Sequence, residues 1–585
     1  MNSKINIPLL TVSESQARYS GRRRLLLDAS CGPDMDSDLY GKKALANLDA
    51  KKWVKESNAH LQKVANWFEN PHPKGRDHRG ECDFAAIKLA RAYHQFKDGN
   101  LLENLTLDKI KEFFLTFDFQ SKYTSENHRL LFHTSRYLMA NAYPEEVFGR
   151  YGLTGEELRK LEKNYILEFL RFRARQGWEE FDSVNYFAAD WECLCCLYDF
   201  ACDDDVKRMA GMLMDVFLMD YVLDSLWGMC CGAHGRINTS QAHDHIKGYT
   251  YPIQYLYFGN VCSKDNMAEC VVDALLSQYR PSELLIDIAL NRNSIYENYE
   301  RKHLHCSTYL APQRPLKQEP GSIRKYTYWT PEFVMGCVQY QDPYPEGSLA
   351  AWYAHHQQHQ WDLTIGTRTN AKIFTHHPGS YGAEGAEHGY WTGDMGCGCG
   401  HFFQNKSTLI TLYHIPENQP YHYIHAYVPK NAFDEVIEEG GYIFIREGNV
   451  FAALKMLGGH QWTNEGEWSD AEVISEGTVN GVLCEAGTNK EFGTFDAFRQ
   501  ETLTNRYLFD AEKMQLTYES KRCGILYLDI KGGRKLNGKA VDLDYDTYSS
   551  PYMKAGWDTG IVEFIKGNRK LIYDFNKLTI EEGSN

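Results

Sequence analysis

No Gly-rich phosphate loop and no strand–GxGxxG–helix unit occurs in the 585 residues, so kinase and dehydrogenase chemistry leave the front rank. No Gly-x-Ser-x-Gly elbow is present either, and a serine hydrolase goes with it. No stretch approaches the ~20 apolar residues of a membrane span. Met1-Asn2-Ser3-Lys4-Ile5-Asn6-Ile7-Pro8 has one early Lys and no apolar run behind it, unlike a signal peptide. Positive charge is in deficit: the formal net charge of -15 argues against a nucleic-acid groove or an anionic membrane as main partner. An anionic sugar stays compatible, because a few local cations can oppose the global sign. The 16 cysteines form no framework; several (Cys193, Cys195, Cys196, Cys230, Cys231) lie in apolar helical runs, as reduced core thiols do. The expected compartment is the cytosol, or the periplasm if a leader has been lost.

Aromatic residues are abundant at 14%, including 38 Tyr and 12 Trp, which suits stacking on sugar rings and equally a large β-sheet core. The length exceeds one ordinary core, so two or three domains are expected. Up to about residue 300 apolar residues recur at three and four spacing, over 43–68, 83–97, 107–117, 126–142, 158–176, 186–201, 206–227, 264–279 and 283–290. Thr154-Gly155-Glu156-Glu157 reads as a capped helix start, and Arg171, Arg173 and Arg175 as a basic polar face. Short connections imply antiparallel helical hairpins. Beyond 300 the period changes to alternation, over 324–330, more weakly 352–359, then 407–414, 421–428, 441–446 and 450–456, with Gly-rich turns between. One helix is expected near 497–503. Helices first and strands second indicate separately packed regions rather than βαβ units. The expected division is 1–305 helical, 306–510 a large antiparallel β-domain and 511–585 a small C-terminal β region.

Three stretches carry candidate chemistry. Ser125-Glu126-Asn127-His128 opens an amphipathic helix with an amide that can hold a carboxylate and an imidazole that exchanges protons near neutrality. Gly177-Trp178-Glu179-Glu180-Phe181-Asp182-Ser183-Val184-Asn185-Tyr186 joins two helices and mixes aromatic faces with polar groups, as a carbohydrate cleft does. Gly232-Ala233-His234-Gly235-Arg236 offers close backbone approach, an imidazole and a bidentate cation. His243 and His245 follow, at no established zinc spacing. A fourth cluster in the β-domain contains His376, His377, His388, Trp391, Asp394, Cys397, Cys399 and His401. It reads either as a structural divalent-ion site (zinc or calcium) on His376, His388, Asp394 and His401, or as a tight glycine loop near the cleft. No other cofactor is implied.

Ser-Glu-Asn-His, Gly-Trp-x-Glu-Phe-x-Ser-x-x-Tyr and His-Gly-Arg, with Gly440-Gly441-Tyr442-Ile443-Phe444 and Cys484-Glu485 in the second half, resemble heparinase II/III-like proteins of the polysaccharide lyase group. The resemblance implies an N-terminal (α/α) toroid followed by a large antiparallel β-sandwich. It also implies β-elimination at a uronic acid: the carboxylate is neutralised, a base takes the C5 proton, and an acid protonates the leaving oxygen. On that basis Asn127 and Arg236 are candidate neutralisers and Tyr186 the candidate acid and base. His128 or His234 would be the base or would activate Tyr186. Trp178, Glu180, Tyr249, Trp391 and His401 are the candidate substrate contacts. An isoleucine after the Arg of His-Gly-Arg departs from the aromatic residue usual in such proteins. Two other readings stand beside the lyase: a glycoside hydrolase on the same helical scaffold using Glu180 with Asp182 or Asp190, and a non-catalytic glycan-binding protein. The expected partner is an acidic oligo- or polysaccharide, and assembly into a homo-oligomer is left open.

Overall fold

A computed structural model describes residues 9–67, 81–116, 125–149, 151–261, 271–303, 321–342, 357–378, 390–392 and 398–584. Helices fill the first half and antiparallel strands the second, as the change of period predicts. Thr154 caps helix Gly155–Gln176: its hydroxyl accepts from the Glu157 N–H, while the Glu157 carboxylate accepts from the Thr154 N–H. Thr11 and Glu14 start Val12–Ser30 in the same way, a helix with too few apolar residues for spacing to reveal it. The expected single helix over 43–68 is two, Lys42–Asp49 and Val54–Ala65. Left-handed backbone at Lys51 (φ 54°) and Trp53 (φ 46°) breaks the helix where the apolar spacing runs on. Val12–Ser30 packs against Thr250–Tyr257, Val272–Leu276 and Glu283–Leu290, so the first helix meets the last ones and the helical array closes on itself. Among the described residues no helix is long and apolar enough to cross a membrane.

Among the described residues the strands form two large sheets, a five-stranded one and two short two-stranded ribbons. One six-stranded sheet runs Gly400–Asn405, Thr408–His414, Val479–Thr488, Val450–Met456, Tyr442–Glu447, Glu435–Glu439. Its inner face packs on a long sheet through Phe402, Leu409, Ile443, Ala452 and Cys484 against Met335, Trp361, Leu363, Ile373 and Ile424, which is the expected sandwich. Its outer face is covered by a five-stranded sheet (506–540) and by helix Phe495–Thr504. The long sheet includes Tyr423–Tyr427, Lys372–His376, Trp361–Ile365, Phe333–Gln341, Ser322–Trp329 and Tyr296–His303 in that order. It then continues through Tyr548–Ser549 into the C-terminal strands up to Thr579–Ser584. Strand Tyr296–His303 thus belongs to the sheet although it precedes residue 305, and the C-terminal strands extend that same sheet.

Alternation along these strands decides what faces what. Tyr328 and Trp361 turn toward the sandwich, whereas Trp329, Phe374 and Tyr427 join the core of the helical region. Asn298, Glu300, Lys302, Lys325, Thr327, Asp362, Lys372, His376 and His425 are also buried, at the period of that second face. The long sheet therefore presents an unusually polar face to the helices.

The C-terminal strands are tied to the helices by a buried acid. Asp215 on Asp204–Leu223 accepts hydrogen bonds from Tyr279 Oη and from Tyr573 Oη on Arg569–Asp574, both at 2.5 Å. Burial pushes its carboxyl up to about 6, and the two hydroxyls oppose that shift. The folded chain therefore keeps this proton up to about pH 6, while an ordinary aspartate releases it near 3.8. Stability from this group is fully present below the lower value and declines as pH rises to the upper one. Asp215→Asn should flatten that decline by about 3 kcal/mol, read from urea midpoints in buffers on either side of the window. An unchanged slope would contradict the assignment.

Candidate active site

Helix Gly155–Gln176 stops at Gly177 (φ 70°), where a Cβ would sit 2.9 Å from Lys302 Cγ. Glycine is required there by both backbone and contact. The loop that follows is nailed down on alternate sides. Trp178 stacks on Phe217 with ring centroids 4.2 Å apart, and Glu179 is bonded by Arg129 (2.6 Å) and Arg173 (3.2 Å). Arg173, expected on a basic polar face, is instead fully buried, with Glu126 as its second partner at 2.5 Å. Phe181 joins Ala233, Ile323 and Val338. Asp182 takes left-handed backbone (φ 49°) and places its carboxylate between Lys302 and Lys325. The Ser183 hydroxyl donates to the Arg236 carbonyl (2.7 Å) and accepts from the Tyr186 N–H (3.0 Å), which orients Tyr186.

The second segment is drawn in by backbone contact. Gly232 (φ 82°) lies against Gly336, and a Cβ on it would stand 3.2 Å from Gly336 Cα. The Gly232 N–H donates to Asp362 (2.7 Å), His234 and His359 exchange backbone hydrogen bonds of 2.8 and 2.7 Å, and the Gly235 N–H donates to the Phe181 carbonyl (2.6 Å). Arg236, also left-handed (φ 60°), then reaches outward. Its Nε donates to Gln357 Oε1 (3.1 Å), Nη1 to Glu180 Oε1 (3.0 Å) and Nη2 to Tyr186 Oη (2.9 Å). The guanidinium also covers the Tyr186 ring, 4.7 Å from its centroid.

Asn127 completes the cluster: its amide donates to the other oxygen of Glu180 at 2.6 Å. Glu180 therefore accepts from Asn127 and Arg236 at once, and Arg236 links it to Tyr186. Behind them Glu126 and Asp190 are buried; burial pushes Glu126 up to about 7 and Asp190 well above its ordinary value, and neighbouring carboxylates add to both shifts. His128 is the one residue from Glu126 to Ala140 that is not fully buried. Its Nδ1 lies 2.5 Å from Asp83 Oδ2, a buried carboxyl that burial raises and His128 pulls down. Asp83 thus fixes the orientation of His128, as carboxylates do for working imidazoles.

Three of the five candidate catalytic residues, Asn127, Tyr186 and Arg236, are brought into one connected group. His128 sits beside Asn127 on the first turn of the same helix. His234 differs: it is 1% exposed, burial pushes it down to about 3, and its Nδ1 is 2.9 Å from the Asp182 carbonyl. A carbonyl only accepts, so Nδ1 carries the proton and the neutral ring acts as a brace for the loop. Among the expected substrate contacts, Glu180 is at the centre and Tyr249 donates its N–H to the Val184 carbonyl (2.8 Å), next to Tyr186. Trp178 is a buried anchor rather than a sugar platform. Sequence reasoning missed Asp83, Gln357, Lys302 and Lys325. The two lysines carry a signal, since both occupy inward periods of buried strands; Asp83 and Gln357 carry none.

No protein-family model matches the chain, and none of the curated proteins does. Among solved structures, the chain is similar to the chondroitin AC lyase of Streptomyces coelicolor A3 in complex with chondroitin sulphate. That match has a TM-score of 0.41 and 10% identity, covering 96% of this chain and 88% of the other. A tyrosine-to-alanine mutant of the same enzyme matches with a TM-score of 0.36 and 9% identity over the same shares. Overlap this loose leaves activity to be argued from the site itself.

The β-domain candidates lie elsewhere. Trp391 is buried and stacks on His425, with ring centroids 3.9 Å apart, among Phe374, Tyr427 and His243. His376 is buried on the same sheet, 3.0 Å from His359. His401 belongs to the other sheet, opposite Leu412 in register and on the face of Phe403, which packs against the five-stranded sheet. His376 and His401 therefore point away from each other across a sandwich about 10 Å thick, and cannot share an ion. His388 and Asp394 lie outside the described residues. His376 and His425 face each other in register, but among the described residues no group of three that includes a histidine has metal-ligand spacing. The trio Asp182, Asp220 and Glu300 has metal-ligand spacing, but Lys302 Nζ already lies 2.5, 2.9 and 3.0 Å from its three carboxylates. An ammonium supplies the cation.

The close approach of Gly232 and Gly336 sets Arg236 in place. Gly232→Ala, with its positive φ and its contact on backbone, should cost about 2 kcal/mol, measured as a fall in the denaturant midpoint. A neutral substitution would remove this contact from the account.

Proposed function

We propose that the protein is a lyase that cleaves a uronic-acid-containing oligo- or polysaccharide by β-elimination, leaving an unsaturated uronate. The observation that carries this reading is that Asn127 and Arg236 converge on one carboxylate, that of Glu180, and that Arg236 joins Tyr186 to it. An amide and a guanidinium are held at fixed spacing on an internal carboxylate, and a substrate carboxylate taking its place would meet both. Charge developing on a uronate as its C5 proton leaves would be met by those donors. The Tyr186 oxygen accepts from Arg236, which directs its own proton elsewhere, toward a ligand. Tyr186 is thus the proposed acid at the leaving oxygen, and Tyr186 or His128 the base at C5. His234, tied to the Asp182 carbonyl, supports the loop. The substrate class is an acidic glycan.

The hydrolase reading has less support. It requires a second carboxylate free to act beside Glu180, whereas Asp182 is gripped by two lysines. Incubation with a panel of uronic-acid oligosaccharides separates the readings, because elimination creates an ultraviolet-absorbing conjugated uronate and hydrolysis does not. Absorbance should rise, and Tyr186→Phe should slow it roughly 100- to 10,000-fold, with a comparable loss in Asn127→Ala. New reducing ends without absorbance, abolished by Glu180→Gln and spared by Tyr186→Phe, would establish the hydrolase. Tight oligosaccharide binding with no product would establish a binder.

A further inference from the structure

Six ionisable side chains meet between the long sheet and the loop that carries Glu180 and Tyr186. Glu300 and Lys302 come from Tyr296–His303, Lys325 from Ser322–Trp329, Asp220 from Asp204–Leu223, Asp224 from just beyond that helix, and Asp182 from the loop. Lys302 Nζ lies 2.5 Å from Asp182 Oδ1, 2.9 Å from Asp220 Oδ1 and 3.0 Å from Glu300 Oε2. Lys325 Nζ bonds Asp182 Oδ2 and Asp224 Oδ2 and is 3.1 Å from Glu300 Oε2. Asn298 donates to Asp224 and Glu300, and Tyr548 to Asp220. All six charged groups are at most 1% exposed.

Asp182 differs from Asp220 and Glu300. Each of its oxygens faces a different lysine, and although burial opposes ionisation, the two ammonium groups hold it down to about 2. Asp220 and Glu300 shift the other way, burial being the largest cause in each. The carboxylate that gives each lysine an oxygen of its own is thus the one member that belongs to the loop. That member also has left-handed backbone, a conformation that persists only where the surroundings over-determine it. Its carbonyl receives His234, and the chain on either side leads to Glu180 and to Tyr186.

We propose that Lys302 and Lys325 are positioning residues of the active site: by gripping Asp182 from the sheet, they hold the turn that sets Glu180 against Asn127 and Arg236 and delivers Tyr186 to Arg236. Its kinetic consequence rests on the elimination reading, while its structural consequence does not. The decisive comparison is Asp182→Asn against Asp220→Asn. Both remove one carboxylate from the same buried cluster, but only the first lies on the loop. In Asp182→Asn, backbone amides of 180–186 and 232–238 should exchange roughly tenfold faster or more. Turnover should fall roughly 10- to 100-fold while KM stays within about threefold. Asp220→Asn should lower the denaturant midpoint and leave loop exchange and turnover near the parent's. Lys325→Met should reproduce the Asp182→Asn pattern, and Lys325→Arg should restore part of it. Unchanged loop exchange in Asp182→Asn, or equal loosening in Asp220→Asn, would overturn the proposal. A parent protein that releases no unsaturated product would defeat the functional reading instead, and the exchange comparison would still decide this one.

Discussion

Two lysines on the inner face of a β-sheet, Lys302 and Lys325, meet four carboxylates that are as deeply buried as they are. Each such ion loses several kcal/mol of hydration, which mutual attraction offsets only where the geometry is good. An arrangement of this kind adds little net stability and a great deal of register. The sheet cannot slide along the helices without stranding an ammonium among apolar groups or a carboxylate without its cation. Position is what the cluster secures. Because one of its members, Asp182, belongs to the loop between helices Gly155–Gln176 and Phe187–Phe200, the same constraint extends to the candidate site.

The loop shows how buried charge and open chemistry can alternate along ten residues. Glu179 turns inward to Arg129 and Arg173, Asp182 turns inward to the sheet, and Trp178 and Phe181 anchor it through apolar contact. Between and beyond these fixed points Glu180 and Tyr186 reach Arg236. Asp182, Arg236 and Gln357 are all non-glycine residues with positive φ, and they lie within a chain of direct contacts through His234 and the Arg236 side chain. Strain gathered at one place, held by charge on one side and by paired backbones on the other, is how a rigid polar site is kept from relaxing.

A different economy governs the histidines of the sheet. His376 and His425 are buried among Phe374, Tyr390, Trp391 and Tyr427, and burial pushes both below the ordinary imidazole value. Neutral imidazoles packed on aromatic rings behave as polar members of a core, not as proton carriers. His128 differs in its surroundings: it keeps contact with solvent and has the Asp83 carboxyl as partner. Residue type alone does not separate these two kinds of histidine; their surroundings do.

The order of elements was legible in the chain because its signals are local. The 3.6-residue period marked Glu126–Ala142 and Glu283–Leu290, the Thr154–Glu157 box marked a helix start, and alternation marked Val450–Met456. The chemistry of the site was legible for a related reason: Asn127, Glu180, Tyr186 and Arg236 sit in short stretches where polar groups crowd beside aromatic ones. Burial and partnership were not. Nothing in the spacing of Arg173 announces that it turns inward to Glu126 and Glu179, and nothing near His401 tells that its strand turns that side chain away from His376. The sequence by itself determined which segments are helix, which are strand and which residues are chemically equipped. Which of them meet is fixed in the tertiary fold, because the face that an element buries, and the charge it finds there, are supplied by other elements of the chain.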